Sequence, residues 1–134
     1  VSELGAARHR ARERAVELMY EAAMKDRPVL RVVAELAAPP DAYTLALLEA
    51  TARDGARALE LIGRHSIDWP VDRLALLDRL ILTLATSELL MDEAPPVAVV
   101  LDEAVELAKT YSTDGSPAFV NGVLSAIADD VAHD

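Results

Sequence analysis

An all-α fold is predicted for this chain of 134 residues by three observations. Apolar side chains recur every three or four positions through most of its length. No segment keeps the strict two-residue alternation of a half-buried strand. Glycine is scarce, with five in all, and proline pairs at Pro39-Pro40 and Pro95-Pro96 punctuate the helical stretches. Half the residues are apolar, enough for one core without disulfide or metal staples, so residues 1–134 read as a single domain.

The first helix spans about Ala7 to Met24, with Val16, Met19, Tyr20 and Ala23 as its apolar stripe. Pro28 starts a short second helix carrying Leu30, Val33 and Leu36, which Pro39-Pro40 ends. Asp41 caps a long third helix with Leu47, Leu48, Thr51, Gly55, Ala58, Leu59 and Ile62 at helical spacing. A glycine inside that stripe costs about 1 kcal/mol against alanine, so a second helix is expected to cross closely at Gly55. Trp69-Pro70 opens a short turn, and Asp72 leads into a helix of roughly Arg73 to Met91. This element is apolar over much of its circumference and should lie at the centre. Val97, Val100, Leu101, Ala104, Val105 and Ala108 mark the next helix. Ser116 then caps the last one, with Pro117 at its first position and Val120, Val123, Leu124, Ile127 and Val131 facing inward. Only the first and last few residues read as disordered.

Composition removes several functions. Without cysteine there is no thiol nucleophile, disulfide framework or cysteine–zinc site. No apolar run approaches the ~20 residues of a membrane span, and the N-terminus lacks a signal-peptide core; a cytoplasmic protein with no membrane partner is expected. The histidines His9, His65 and His133 share no ligand spacing, and no glycine-rich phosphate loop occurs, so no cofactor, metal or catalytic set is expected. Glu88 falls inside the main apolar stripe of its helix and reads as a hydrogen-bonded structural acid. Asp102, Glu106 and Lys109 form an ordinary ion-pair ladder.

Net charge is −10, yet four of the thirteen basic side chains, Arg8, Arg10, Arg12 and Arg14, lie within one short stretch of the first helix. The planar guanidinium suits phosphate recognition, and cations at a helix N-terminus oppose the macrodipole. Arg8 and Arg12 share the azimuth of Val16 and Met19; Arg10 and Arg14 project from the other side. The alternative is a solvated helix start with some arginines paired to acids. Phe119 lies about 100° from the centre of its stripe and Tyr20 about 50° from that of its own, edge positions by the 3.6-residue period. Such aromatics suit either core packing or base stacking on single-stranded RNA. Ser116 and Asn121 offer hydrogen bonds to bases or phosphates, capping being the simpler role for Ser116. Asp78 borders Leu82 and Leu89, a pattern of either a protein contact or a solvated acid beside buried leucines.

Taken in order, several blocks resemble the NusB family of bacterial transcription antitermination factors from Ala7 to about Ile127. They are Ala7-Arg8-His9-Arg10-Ala11-Arg12-Glu13 with Ala15-Val16 and Tyr20; Trp69 with Asp72-Arg73-Leu74; Asp78-Arg79 with Ile81-Leu82; Glu88-Leu89; Asp102 to Lys109; and Phe119-Val120-Asn121-Gly122-Val123-Leu124. The resemblance implies an all-α fold of seven helices in two small bundles, with no catalysis. It implies binding of single-stranded boxA RNA in ribosomal RNA leaders together with NusE, a small-subunit ribosomal protein, within an antitermination complex on RNA polymerase. By position it implies RNA contacts at Arg8, His9, Arg10, Arg12, Tyr20 and Phe119, with Ser116 and Asn121 beside them. It places Asp78, with Leu82 and Leu89, on the NusE-facing surface. Thr83, Ser87 and Gly115 depart from the family pattern. Some members form homodimers that cover the RNA surface. Alternatives are the detached RNA-binding domain of a ribosomal RNA methyltransferase system, and a helical protein-interaction module without RNA binding.

Overall fold

The computed structural model describes residues 2–67 and 69–132; His133 lies outside them. Among these residues six α-helices occur and no strand: α1 (Glu3–Lys25), α2 (Val29–Ala34), α3 (Ala42–His65), α4 (Leu76–Leu89), α5 (Val97–Tyr111) and α6 (Ser116–Ala132). A single 3-10 turn, Val71–Arg73, fills the place of the seventh helix. Helices α1, α2 and α3 pack on one another, as do α4, α5 and α6, and α4 also packs against α1 and α3. One apolar core runs through both groups, from Val16, Leu18 and Leu47 to Ile81, Leu84, Leu124 and Ile127. Helix α4 is therefore the central element that its all-round apolar sequence predicts. Among the described residues no helix is long and apolar enough to cross a membrane.

Local chemistry sets the helix ends. The Asp41 carboxylate accepts the Thr44 backbone N–H at 2.7 Å, and this bond holds the Asp41 carboxyl below its ordinary range. Helix α1 begins earlier than its apolar stripe, because the Ser2 hydroxyl accepts from the Gly5 N–H at 2.9 Å. It ends on Asp26 in the left-handed conformation, whose N–H returns to the last turn. The helix expected from Arg73 splits into the 3-10 turn and α4, since Leu74 and Ala75 are extended between them. At the far end, His65 and Arg64 of α3 both reach Asp130 of α6, at 2.7 and 2.8 Å.

Gly55 corrects one expectation. Among the described residues no helix crosses close to it: a Cβ built there meets nothing within 4 Å. Gly55 thus carries the entropic cost of a helical glycine without a packing benefit. Gly55→Ala is expected to raise unfolding free energy by roughly 0.5–1 kcal/mol in chemical denaturation; destabilisation would mean that the site is tighter than its geometry shows.

Candidate nucleic-acid interface

The four arginines of α1 divide into two populations. Arg12, on the azimuth of the core, is 2% exposed. Its Nε and Nη2 donate to the two oxygens of Glu88, itself 1% exposed, at 2.9 and 2.7 Å. The Tyr43 hydroxyl donates to the same carboxylate at 2.5 Å. Glu103 of α5 adds a contact to Arg12 Nη1 at 3.5 Å. Burial, then the Glu88 carboxylate, pushes the Tyr43 hydroxyl up to about 12, so it stays a donor. The expected phosphate contact by Arg12 is thereby corrected: the guanidinium is saturated inside the fold and joins α1, α3, α4 and α5. Glu88 is the structural acid its position suggests.

The other arginines face outward. Arg10 and Arg14 are exposed, and half-buried Arg8 lies over the Tyr43 ring, 4.5 Å from its centroid. Stacking holds the Arg8 guanidinium plane while leaving its edge for an anion. His9 is drawn the other way. Its Nδ1 is 2.7 Å from Glu103, and its Nε2 is 3.6 Å from Glu13. The hydrogen bond to Glu103 raises the His9 pKa despite desolvation. A cleft of about 470 Å³ beside it has Asp102, Glu103 and Glu106 along its α5 wall. That acidic wall repels phosphate; exposed Arg10 stands on the α1 side of the same cleft, and exposed Arg14 lies one turn further along the helix. His9 belongs to the seam between α1 and α5.

Both edge aromatics lie in clefts beside the start of α4. Phe119 is half-buried and, with Trp69, Arg73, Leu74, Ala75 and Asp78, lines a cleft of about 220 Å³. Tyr20, 41% exposed, shares a second cleft of about 260 Å³ with Val16, Glu17, Leu77 and Tyr111. Leu77 and Asp78 are consecutive, so the clefts flank one turn of helix. Asn121 is exposed on the first turns of α6.

Asp78 ties these clefts together. It is 9% exposed, and Ser112 donates to it at 2.6 Å. Ser112 and Ser116 hydroxyls are 2.9 Å apart, and Thr113 and Ser116 hydroxyls 3.1 Å apart. Because each hydroxyl has one proton, the chain runs Thr113 to Ser116 to Ser112 to the carboxylate. Asp78 therefore orders the loop between Tyr111 and Phe119. This corrects two expectations: Asp78 is not a rim charge, and Leu82, 0% exposed, is core. Leu89 is half-buried against that core. Ser116 is buried in the hydroxyl chain, and α6 begins at it instead of after it.

Sequence reasoning did not select Tyr43, Glu103, Trp69, Arg73, Glu17 or Tyr111 as site residues. Trp69 carried a usable signal as a large side chain outside any stripe, whereas Tyr111 continues the stripe of Val100, Ala104 and Ala108 and so reads as core. Tyr43 and Glu103 matter through contacts 31 and 91 positions from Arg12, which periodicity does not encode.

A family model described as the NusB family matches residues 9–129. A transcription antitermination protein NusB of Streptomyces coelicolor is 44% identical over 131 residues, covering 91% of this chain and 92% of its own. A T. maritima NusB structure superposes with a TM-score of 0.82 at 29% identity, covering 92% of this chain and 91% of that one. A chain in a crystal structure described as a plectonemic RNA supercoil gives 0.79 at 27% identity, with coverages of 93% and 96%.

Two outcomes follow from this geometry. Glu88→Ala leaves Arg12 buried with only the long contact to Glu103 and should lower stability by about 3–5 kcal/mol in urea titration; a loss below about 1 kcal/mol would contradict a buried pair. Asp78→Ala removes the terminal acceptor of the hydroxyl chain and should cost about 1–3 kcal/mol, with faster amide exchange confined to the α5–α6 loop and its flanks. Exchange unchanged there would remove Asp78 as the anchor.

Proposed function

Because the chain belongs to the NusB family, we propose that it is a transcription antitermination factor that binds single-stranded boxA RNA together with NusE during ribosomal RNA transcription, with no catalytic step of its own. The observation that carries this reading is the separation of charge on α1. An acidic chain turns Arg10 and Arg14 outward, stacks Arg8, and buries Arg12 as their support. Clustered cations release counterions from a phosphate backbone; Arg14, 3.4 Å from Glu17, contributes less to this than Arg8 and Arg10.

The clefts supply the second ingredient. Single strands bind through a charged track plus aromatic faces on which unstacked bases rest. Arg8 and Tyr20 are twelve residues apart on α1, about 18 Å along the axis, so a strand following the helix meets the arginines first and the Tyr20 cleft afterwards. Phe119 faces the neighbouring cleft, while Asn121, two residues on, projects from nearly the opposite side of α6. Ser116 acts from within, as a positioning residue for that end of α6. NusE and the polymerase complex then take a surface other than Asp78 and Leu82, which are internal. A homodimer that covered the arginine face would compete with RNA.

The test is a titration of boxA RNA with and without NusE, across salt concentrations. Replacing Arg8 and Arg10 together by alanine should weaken binding and flatten the salt dependence by about 0.7 per lost phosphate contact. Phe119→Ala should cost about 1–3 kcal/mol of binding while the fold persists. Affinity for NusE without any for boxA RNA would favour a protein-interaction module instead.

A further inference from the structure

The Tyr20 cleft contains more than a stacking surface. Its floor is apolar, formed by Val16 and Leu77, and its walls include two tyrosines from different helices, Tyr20 of α1 and Tyr111 at the end of α5. One carboxylate, Glu17, stands at its rim. Glu17 is held at both oxygens by long contacts: Tyr111 donates to Oε2 at 3.2 Å, and Arg14 Nη1 lies 3.4 Å from Oε1. Its side chain is half exposed, so both oxygens remain open to a further donor. A space of about 260 Å³ with this lining suits a flat heteroaromatic ring.

We propose that this cleft is a base-selective slot for one nucleotide of the bound RNA and that it selects guanine through Glu17. The inference rests on the RNA-binding reading above and adds base identity to it. A carboxylate only accepts hydrogen bonds. Guanine presents two adjacent donors, N1–H and the N2 amino group, spaced to meet two carboxylate oxygens. Adenine and cytosine each offer one amino group beside an acceptor. Uracil offers a single N3–H between two carbonyl oxygens, which face the carboxylate unfavourably. Stacking on tyrosine is indifferent to the base, so discrimination falls to Glu17. Arg14 completes the arrangement: it offsets the charge of Glu17 beside a phosphate chain and remains exposed on the side where the strand arrives.

The experiment titrates the full chain by fluorescence anisotropy with four RNA nonamers, uridine throughout except for a central G, A, C or U. A fifth nonamer carries inosine, which lacks the N2 amino group. The guanine strand should bind roughly tenfold tighter than the all-uridine strand, and inosine should lose most of that advantage. Glu17→Gln should bring the guanine-to-uridine ratio towards one, with the melting temperature recording that the variant is folded. Tyr111→Phe should keep more of the ratio than Glu17→Gln, because it retains the ring. Measurable binding that ignores the central base overturns the slot and leaves RNA binding standing. No binding to any strand overturns both. A wild-type ratio retained in Glu17→Gln, or a cleft that responds only to self-association in sedimentation, also overturns the slot.

Discussion

The structure turns on the buried ion pair between Arg12 and Glu88. Each ion gives up several kcal/mol of hydration on burial, and the attraction recovers this only with good geometry and every lone pair engaged. Here the guanidinium meets the carboxylate edge to edge, Tyr43 donates to one oxygen, and Glu103 lies beside the remaining guanidinium nitrogen. An apolar pair of the same size would hold the helices together about as well. What the ions add is direction: only one rotation of α1 satisfies both, and that rotation fixes which arginines face water.

The consequences reach the outer surface. With Arg12 turned inward, Arg10 and Arg14 must lie on the opposite side of the helix, 3.6 residues making one turn. Tyr43, fixed by Glu88, offers its face to Arg8 and keeps it near that surface. The α5 side of the same helix end is acidic, and His9 closes the seam against Glu103. A chain of net charge −10 thus gathers three outward arginines at one helix end, Arg14 beside Glu17 and Arg10 beside the acidic cleft. At the other end of the surface Asp78 plays a comparable part through hydroxyl groups, setting the loop that follows Tyr111 and leads to Phe119. Both devices are internal polar contacts that orient side chains they do not themselves display.

Helices were legible from the sequence because each obeys local rules: a 3.6-residue stripe, an Asp41 cap, a proline boundary. The central place of α4 followed from its apolar circumference. Gly55 misled, because a glycine in a stripe has two explanations, close packing or none, and only the neighbouring helix separates them. The edge positions of Tyr20 and Phe119 were visible as angles. Arg12 was half legible: its azimuth placed it with Val16 and Met19, which is a statement of burial, yet its partner lies 76 residues away. Asp78 and Leu82 were misplaced for a related reason. A helix buried on nearly every side has no solvent rim, so the angle between Asp78 and the stripe centre did not measure exposure. The clefts were not legible, since they arise where three segments meet.

The central claim is that Arg12 is an internal strut for an RNA face built by its neighbours. Side-chain NMR of the arginine Nε–H groups during a boxA RNA titration tests it most directly. The account predicts an Arg12 Nε–H protected from solvent exchange, with a shift that RNA and added salt leave unchanged, while the Arg8 and Arg10 signals move with RNA. An Arg12 signal that exchanges freely and moves together with Arg8 and Arg10 would contradict it.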